Sequence, residues 1–180
     1  GDVTDRRVVI IGSGMLGLTA TAYAKFLGAA EVSVCDVDSD RLGLADRFGA
    51  DRSIQTAADH SITALASSFD VVIECSGAAD AVESTVLLGD IGARIVLVGS
   101  VMESRPVSFD PARIVRGWLS IAGVHNYAPE DLGRAIRFIR QTHQTYPFAD
   151  LVEETFRLPE VNQAIKYSID RRPIRIAVHA

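Results

Sequence analysis

The sequence predicts a doubly wound α/β fold, a parallel β-sheet with helices on both faces. Three observations point there. Short unbroken runs of β-branched residues, such as Val8, Val9, Ile10 and Ile11, have the composition of strands buried on both faces. Helix-like stretches alternate with such runs at least five times. A glycine cluster stands at the end of the first run, where the chain must turn sharply into the first helix.

In chain order, residues 8–11 form the first predicted strand, followed by Gly12, Ser13, Gly14, Met15, Leu16 and Gly17. A helix runs over 18–27 and stops at Gly28, and residues 31–35 form the second strand. Ser39 or Asp40 caps the next helix, whose Leu42, Ala45 and Phe48 share a face before Gly49 ends it. Residues 51–68 make a weaker unit, an extended piece near Ile54 and then a helix. The clearest later strand, 70–75, is closed by Ser76 and Gly77. A helix over 79–88 leads to Gly89, Asp90 and Gly92, and the next strand, 95–98, ends in Gly99 and Ser100. The polar loop through Pro106 and Pro111 is read as mobile, and the stretch from Trp118 to Val124 as a strand. Pro129 marks a helix start; Leu132, Ala135, Ile136 and Ile139 follow with the spacing of an amphipathic helix. After about Pro147 come a strand near 152–156, a helix carrying Val161, Ala164 and Ile165, and a strand over 174–178. This last set is expected to cover a surface rather than extend the main sheet. No repeat or low-complexity linker interrupts the chain, so residues 1–180 read as one domain.

Composition narrows the function classes. A net charge of -5 with interspersed signs argues against nucleic acid and against an anionic membrane surface. No apolar stretch approaches the length of a membrane span. Cys35 and Cys75 lie far apart within apolar runs, without a CxxC or a Cys/His cluster. That pattern suits buried thiols in a reducing cytoplasm and does not suit a zinc site built by this chain alone.

The glycine cluster has the spacing GxGxxG between a buried strand and a helix. Gly12 permits the tight turn, Gly14 leaves room for a pyrophosphate, and Gly17 lets the helix lie close on the strand. N–H groups at the helix start then face the negative charge. Asp36 stands nineteen residues beyond Gly17, at the end of the second strand. A carboxylate there accepts hydrogen bonds from adenosine ribose hydroxyls and repels a 2′-phosphate. The expected ligand is therefore a nicotinamide dinucleotide, NAD rather than NADP, on a Rossmann-type sheet. Arg41 either lies over the adenine or pairs with Asp38. Flavins and adenosylmethionine bind to related loops and are the other ligand classes weighed.

These residues resemble the medium-chain dehydrogenases/reductases, the zinc-type alcohol dehydrogenases. The resemblance rests on residues 8–18, on Cys35, Asp36, Val37 and Asp38 with Arg41 and Leu42, on residues 48–51, and on the runs 70–77, 96–99 and 174–178. It covers essentially the whole chain. A finer similarity, in residues 123–127 with Tyr146, Pro147 and Phe148, is to a subgroup proposed to accompany phosphonate breakdown. The family resemblance implies that residues 12–17 hold the pyrophosphate and Asp36 the ribose. It implies that Ser76, Val98, Gly99 and Ser100 line the nicotinamide ribose and ring. Backbone near Val124 and His125 would meet the carboxamide, and Arg175 would approach the pyrophosphate from the far side. In the family a separate domain carries the catalytic zinc; its ligands are absent from these residues, so no catalytic or metal residue is assigned.

Two functions follow as expectations. The first is the NAD-binding domain of a zinc-dependent alcohol or polyol dehydrogenase, inactive by itself, with a small alcohol or carbonyl substrate in the intact enzyme. The second is a non-catalytic NAD(H) sensor. A homodimer through the strand from Trp118 to Val124 is expected from an exposed sheet edge. His125 is read as a loop histidine whose backbone matters more than its ring. His60, His143 and His179 are read as surface residues, and Asp70 and Glu74 as strand residues rather than a catalytic pair.

Overall fold

A computed structural model describes residues 2–56 and 62–180. Its main sheet has six strands in the order β3-β2-β1-β4-β5-β6. They are β1 (Arg7–Ile11), β2 (Glu31–Asp36), β3 (Arg52–Gln55), β4 (Phe69–Glu74), β5 (Gly89–Leu97) and β6 (Ser120–Gly123). Every neighbouring pair is parallel. The order reverses between β1 and β4, and the crevice beyond the strand ends at such a point is where open α/β sheets take ligands.

Alternation along the strands explains the two cores. Val8, Ile10, Val32 and Val34 belong to one layer, under helices α1 (Met15–Phe26) and α2 (Ser39–Ala45). Val9, Ile11, Val72 and Ile95 belong to the other, which includes Val86 and Leu88 of α3 (Ala79–Leu88). With both faces covered, the strands need apolar residues at every position, hence the unbroken runs. Leu18, Phe48 and Phe69 are almost fully buried, each adding roughly 1.5–3 kcal/mol of apolar burial.

Several expectations change. The first helix begins at Met15, three residues before the expected start, because the glycine loop itself winds into it. The cap of α2 is Asp38, not Ser39 or Asp40: its carboxylate accepts from the Asp40 and Arg41 N–H groups. Residues 57–61 of the expected helix within 51–68 lie outside the described residues, as does His60; the described remainder holds a short 3₁₀ turn, Thr63–Leu65. Strand β5 already pairs at Gly89, where glycines suggest a turn. The extra residues form an irregularity in which Gly92 takes φ +79°. The loop read as mobile is anchored: Arg105 bonds Asp80 and Glu83 on α3, and Pro111 opens a short helix, α4 (Pro111–Arg116). The strand expected from Trp118 to Val124 spans only Ser120–Gly123, because Trp118 sits at φ +51° with its ring exposed.

The largest revision concerns α5 (Pro129–Thr142). Its apolar stripe of Leu132, Ala135, Ile136 and Ile139 faces outward, and Phe138 and Thr142 are buried instead. Phe138 packs edge-on against Tyr23 of α1 with centroids 5.0 Å apart and touches Phe148. Tyr146 and Phe148 in turn pack on Phe48. Aromatic docking onto α1 and onto Phe48, in the turn that follows α2, therefore decides which face of α5 is buried, and the aliphatic stripe is left over.

The closing segment forms a separate two-stranded parallel sheet, as expected: β7 (Val152–Arg157), α6 (Val161–Arg171) and β8 (Arg175–His179). Among the described residues no helix is long and apolar enough to cross a membrane.

Candidate dinucleotide site

The glycine loop leaves β1 at the strand-order reversal. Gly12 adopts φ +98°, and a Cβ there would press to 3.0 Å from Ser76. A Cβ on Gly17 would fall 1.7 Å from the Gly12 carbonyl oxygen, so helix and turn touch backbone to backbone. Gly14 is different: nothing lies within 4 Å of its would-be Cβ. It is the N-cap of α1, and no side chain caps that end. An open cradle in front of bare helix N–H groups fits an anion such as a pyrophosphate.

Asp36 ends β2 beside this cradle. One carboxylate oxygen accepts from the Ser13 N–H at 2.6 Å and from the Ser13 hydroxyl at 2.7 Å. The other accepts from the Asp38 N–H at 2.9 Å. Burial pushes the Asp36 carboxyl up, but the hydrogen bonds from Ser13, Asp38 and Val37 outweigh it and hold the group below its ordinary range. An ionised, oriented carboxylate therefore borders the glycine loop. Arg41 pairs with Asp38 at 3.6 Å and donates to the Arg172 carbonyl at 3.0 Å. Arg175 reaches Met15 at the start of α1, placing its guanidinium beside the cradle. These two contacts join the closing segment to the front of the loop.

The far end of the site is the rim where β4, β5 and β6 finish. Val98 and Gly99 N–H groups donate to the Glu74 carbonyl, and the Val124 N–H to the Leu97 carbonyl. Gly77 (φ +73°) and Gly99 meet backbone to backbone: a Cβ on Gly77 would lie 2.5 Å from the Gly99 carbonyl oxygen. Ser76 and Ser100 are exposed on this rim, and Val124 and His125 follow β6, also exposed. An apolar groove of about 600 Å³ opens beside it, bounded by Met15, Leu16, Cys75, Val98, Tyr127 and Ala135. Burial pushes the thiols of Cys35 and Cys75 up to about 12, so neither is a ready nucleophile.

The structure thus gathers Gly12, Ser13, Gly14, Met15, Leu16, Gly17, Asp36 and Arg175 around one cradle, and Ser76, Val98, Gly99, Ser100, Val124 and His125 along the adjoining rim. Arg41 stands behind Asp36. Asp70 belongs to neither; it pairs with Arg7 at the opposite end of the sheet. Glu74, read from the sequence only as a strand residue, is fully buried and accepts from Ser76 N–H, Ser76 Oγ–H and Gly77 N–H. Its signal was available: an acid two and three residues before the N–H groups of a Ser-Gly turn. Among the described residues no group of three or more His, Cys, Asp or Glu side chains converges on a metal position, so these residues do not fit a zinc ion.

Known proteins share this fold. The zinc-binding dehydrogenase family matches residues 16–141. L-threonine 3-dehydrogenase of Streptomyces avermitilis is 34% identical over 124 residues, 66% of this chain and 35% of that protein. An alcohol dehydrogenase from Thermotoga maritima superposes with a TM-score of 0.90 at 22% identity, over 100% of this chain and 52% of its own. A zinc-binding dehydrogenase from Sinorhizobium meliloti, solved with NADP, superposes at 0.83 with 24% identity, over 92% and 49% of the two chains. The chain spans about a third of the length of its curated relatives and about half of the solved ones. With one family matching most of its length and this sheet beneath it, the chain belongs to the zinc-binding dehydrogenases.

Proposed function

We propose that this chain is the dinucleotide-holding part of an NAD-dependent dehydrogenase that moves a hydride between a small alcohol and its carbonyl form. The observation that carries the reading is Asp36, fixed by Ser13 beside a glycine cradle that is open only at Gly14. In this reading residues 12–17 and Arg175 hold the pyrophosphate, and Asp36 receives the ribose. Ser76, Val98, Gly99, Ser100, Val124 and His125 line the nicotinamide end. The nicotinamide, when bound, supplies the hydride acceptor. The chain's own part is to bind, orient and shield it. Residues 1–180 act as one cofactor domain, and the alcohol-polarising groups belong to the rest of a longer protein. The relatives are dehydrogenases, so the sensor reading is not carried forward.

The Sinorhizobium neighbour holds NADP, so the choice of cofactor returns to the residues at the end of β2. Asp36 puts negative charge where a 2′-phosphate would sit, and the exposed Val37 offers no cation to offset it. Fluorescence titration should show NADH binding at least about tenfold tighter than NADPH. Asp36→Ser should erode that ratio. Equal or tighter NADPH binding by the unaltered chain would overturn the assignment. The chain by itself should bind NADH without oxidising alcohols.

The β6 edge supports a homodimer in which two sheets continue through residues 118–124; a monomer in light scattering at high concentration would remove it. Two unpaired cysteines fit a reducing cytoplasm.

A further inference from the structure

Among the described residues, Glu74 is the one buried carboxylate that the proposed function leaves without a task. It is wholly inaccessible, at the last position of β4. One oxygen, Oε1, accepts three donors: the Ser76 N–H at 2.6 Å, the Ser76 hydroxyl at 2.6 Å and the Gly77 N–H at 2.8 Å. The hydroxyl oxygen also accepts from the Ala78 N–H at 3.2 Å, which leaves its proton free to donate to Oε1. The second oxygen, Oε2, is buried with no hydrogen-bond partner among the described residues. Two backbone N–H groups and a hydroxyl converge on Oε1, and a proton on Oε2 would find no acceptor among the described residues, so these are the surroundings of an ionised, acceptor-only carboxylate. No cation pairs with it among the described residues. This is an unusual expense, since a buried carboxylate with an orphan oxygen costs stability that a neutral residue would not.

The position gives the expense a use. The turn that Glu74 holds is Ser76–Gly77, which abuts Gly99 on one side and Gly12 on the other. On the reading of the preceding subsection, that turn lies under the nicotinamide. The ring of NAD+ carries one positive charge, and accepting a hydride removes it. A fixed negative charge in a poorly screened interior therefore favours the oxidised cofactor over the reduced one. We infer that Glu74 is a charge-setting and positioning residue, which biases the bound cofactor toward NAD+ through its buried carboxylate beneath the Ser76–Gly77 turn. It touches no substrate and is not a catalytic residue.

The inference rests on the dinucleotide reading, and its test separates the two. NAD+ and NADH are titrated separately, by calorimetry and by NADH fluorescence, against the chain and its variants. The readout is the ratio of the two dissociation constants, which general damage to the fold does not move. In Glu74→Gln, which keeps shape and removes charge, NAD+ should weaken relative to NADH by on the order of fivefold. Glu74→Asp keeps the charge and should restore most of the ratio. Ser76→Ala removes one donor that offsets the charge, and it should move the ratio the other way, toward NAD+, by about twofold. That third variant keeps the test decisive if Glu74→Gln does not fold. An unchanged ratio in Glu74→Gln, or equal losses of both cofactors, would overturn the inference and leave Glu74 as a turn anchor. Failure of the unaltered chain to bind either cofactor would instead overturn the dinucleotide reading beneath it.

Discussion

The two halves of the sheet are finished differently. On the β1–β2–β3 side, α1 and α2 close the face, and Ser13, Asp36 and Asp38 lock the rim together through short hydrogen bonds. On the β4–β5–β6 side, the same face is bordered by an open groove along Val98, Cys75 and Ala135, with the α5 stripe bare beside it. One half is determined by contacts within this chain. The other half presents apolar surface that water should not be left to cover. Local rules suffice for the first, whereas the second takes its meaning from whatever else packs there.

Helix α5 straddles the two halves, so it offers the largest contrast. Phe138→Ala should cost about 3–5 kcal/mol in urea denaturation, because its ring fills the aromatic seat against Tyr23 and Phe148. Ile136→Gln, two residues earlier on the bare stripe, should cost within about 0.5 kcal/mol. Similar losses from both would show that the stripe is buried after all.

The glycine loop can be divided in the same way. Gly17→Ala drives a methyl into the Gly12 carbonyl and should cost about 3 kcal/mol or more of stability together with NADH binding. Gly14→Ala meets no atom of the chain, so stability should hold while NADH affinity falls severalfold. Thermal unfolding and fluorescence titration of the pair distinguish a packing glycine from a ligand-clearance glycine.

A smaller effect is expected away from the rim. Arg113 of α4 donates to the carbonyls of Val86 and Gly89 at 3.2 and 2.8 Å, satisfying the end of α3. Arg113→Ala should lower stability by about 1–2 kcal/mol and leave NADH binding unchanged. The smallest is a pH effect. The Arg105 guanidinium, and after it the Ser108 N–H, hold the half-buried Glu83 carboxyl at about 2. Its depressed value means the strap contributes fully above the ordinary carboxylate range near 4.3 and fades as pH falls through about 2. Proteolysis of residues 99–110 should therefore be slow at pH 5 and faster near pH 2, and Arg105→Ala should reproduce the acid behaviour at neutral pH.

What was legible in the sequence follows the same division. Residues 8–17 and Asp36 could be read because each obeys a short-range rule: a β-branched strand, a turn that needs glycine, an acid at a fixed distance. The α5 stripe was misleading for a physical reason. Spacing identifies an apolar face but not its partner, and here the aromatic residues of 146–148 claim the opposite face. Tyr146 and Phe148, read from the sequence as a mark of the phosphonate-associated subgroup, also form that packing seat. Asp38 replaced Ser39 as the cap because the helix starts one residue earlier than the apolar pattern shows. Glu74 was legible only in part: its place just before a Ser-Gly turn marks an acceptor for the turn's N–H groups, but nothing in the strand run shows that the carboxylate is buried once the rim closes.

The contacts between Gly12 and Ser76 and between Gly77 and Gly99 bear on how this protein can change. They make the rim a single keystone course, with no slack for one loop to be redrawn without the others. Any lineage or laboratory selection that alters cofactor preference should leave those glycines alone. It should work through the side chains at positions 36 and 37: Val37 is exposed, and a change at Asp36 gives up its bonds to Ser13 and Asp38 but meets none of the glycine contacts.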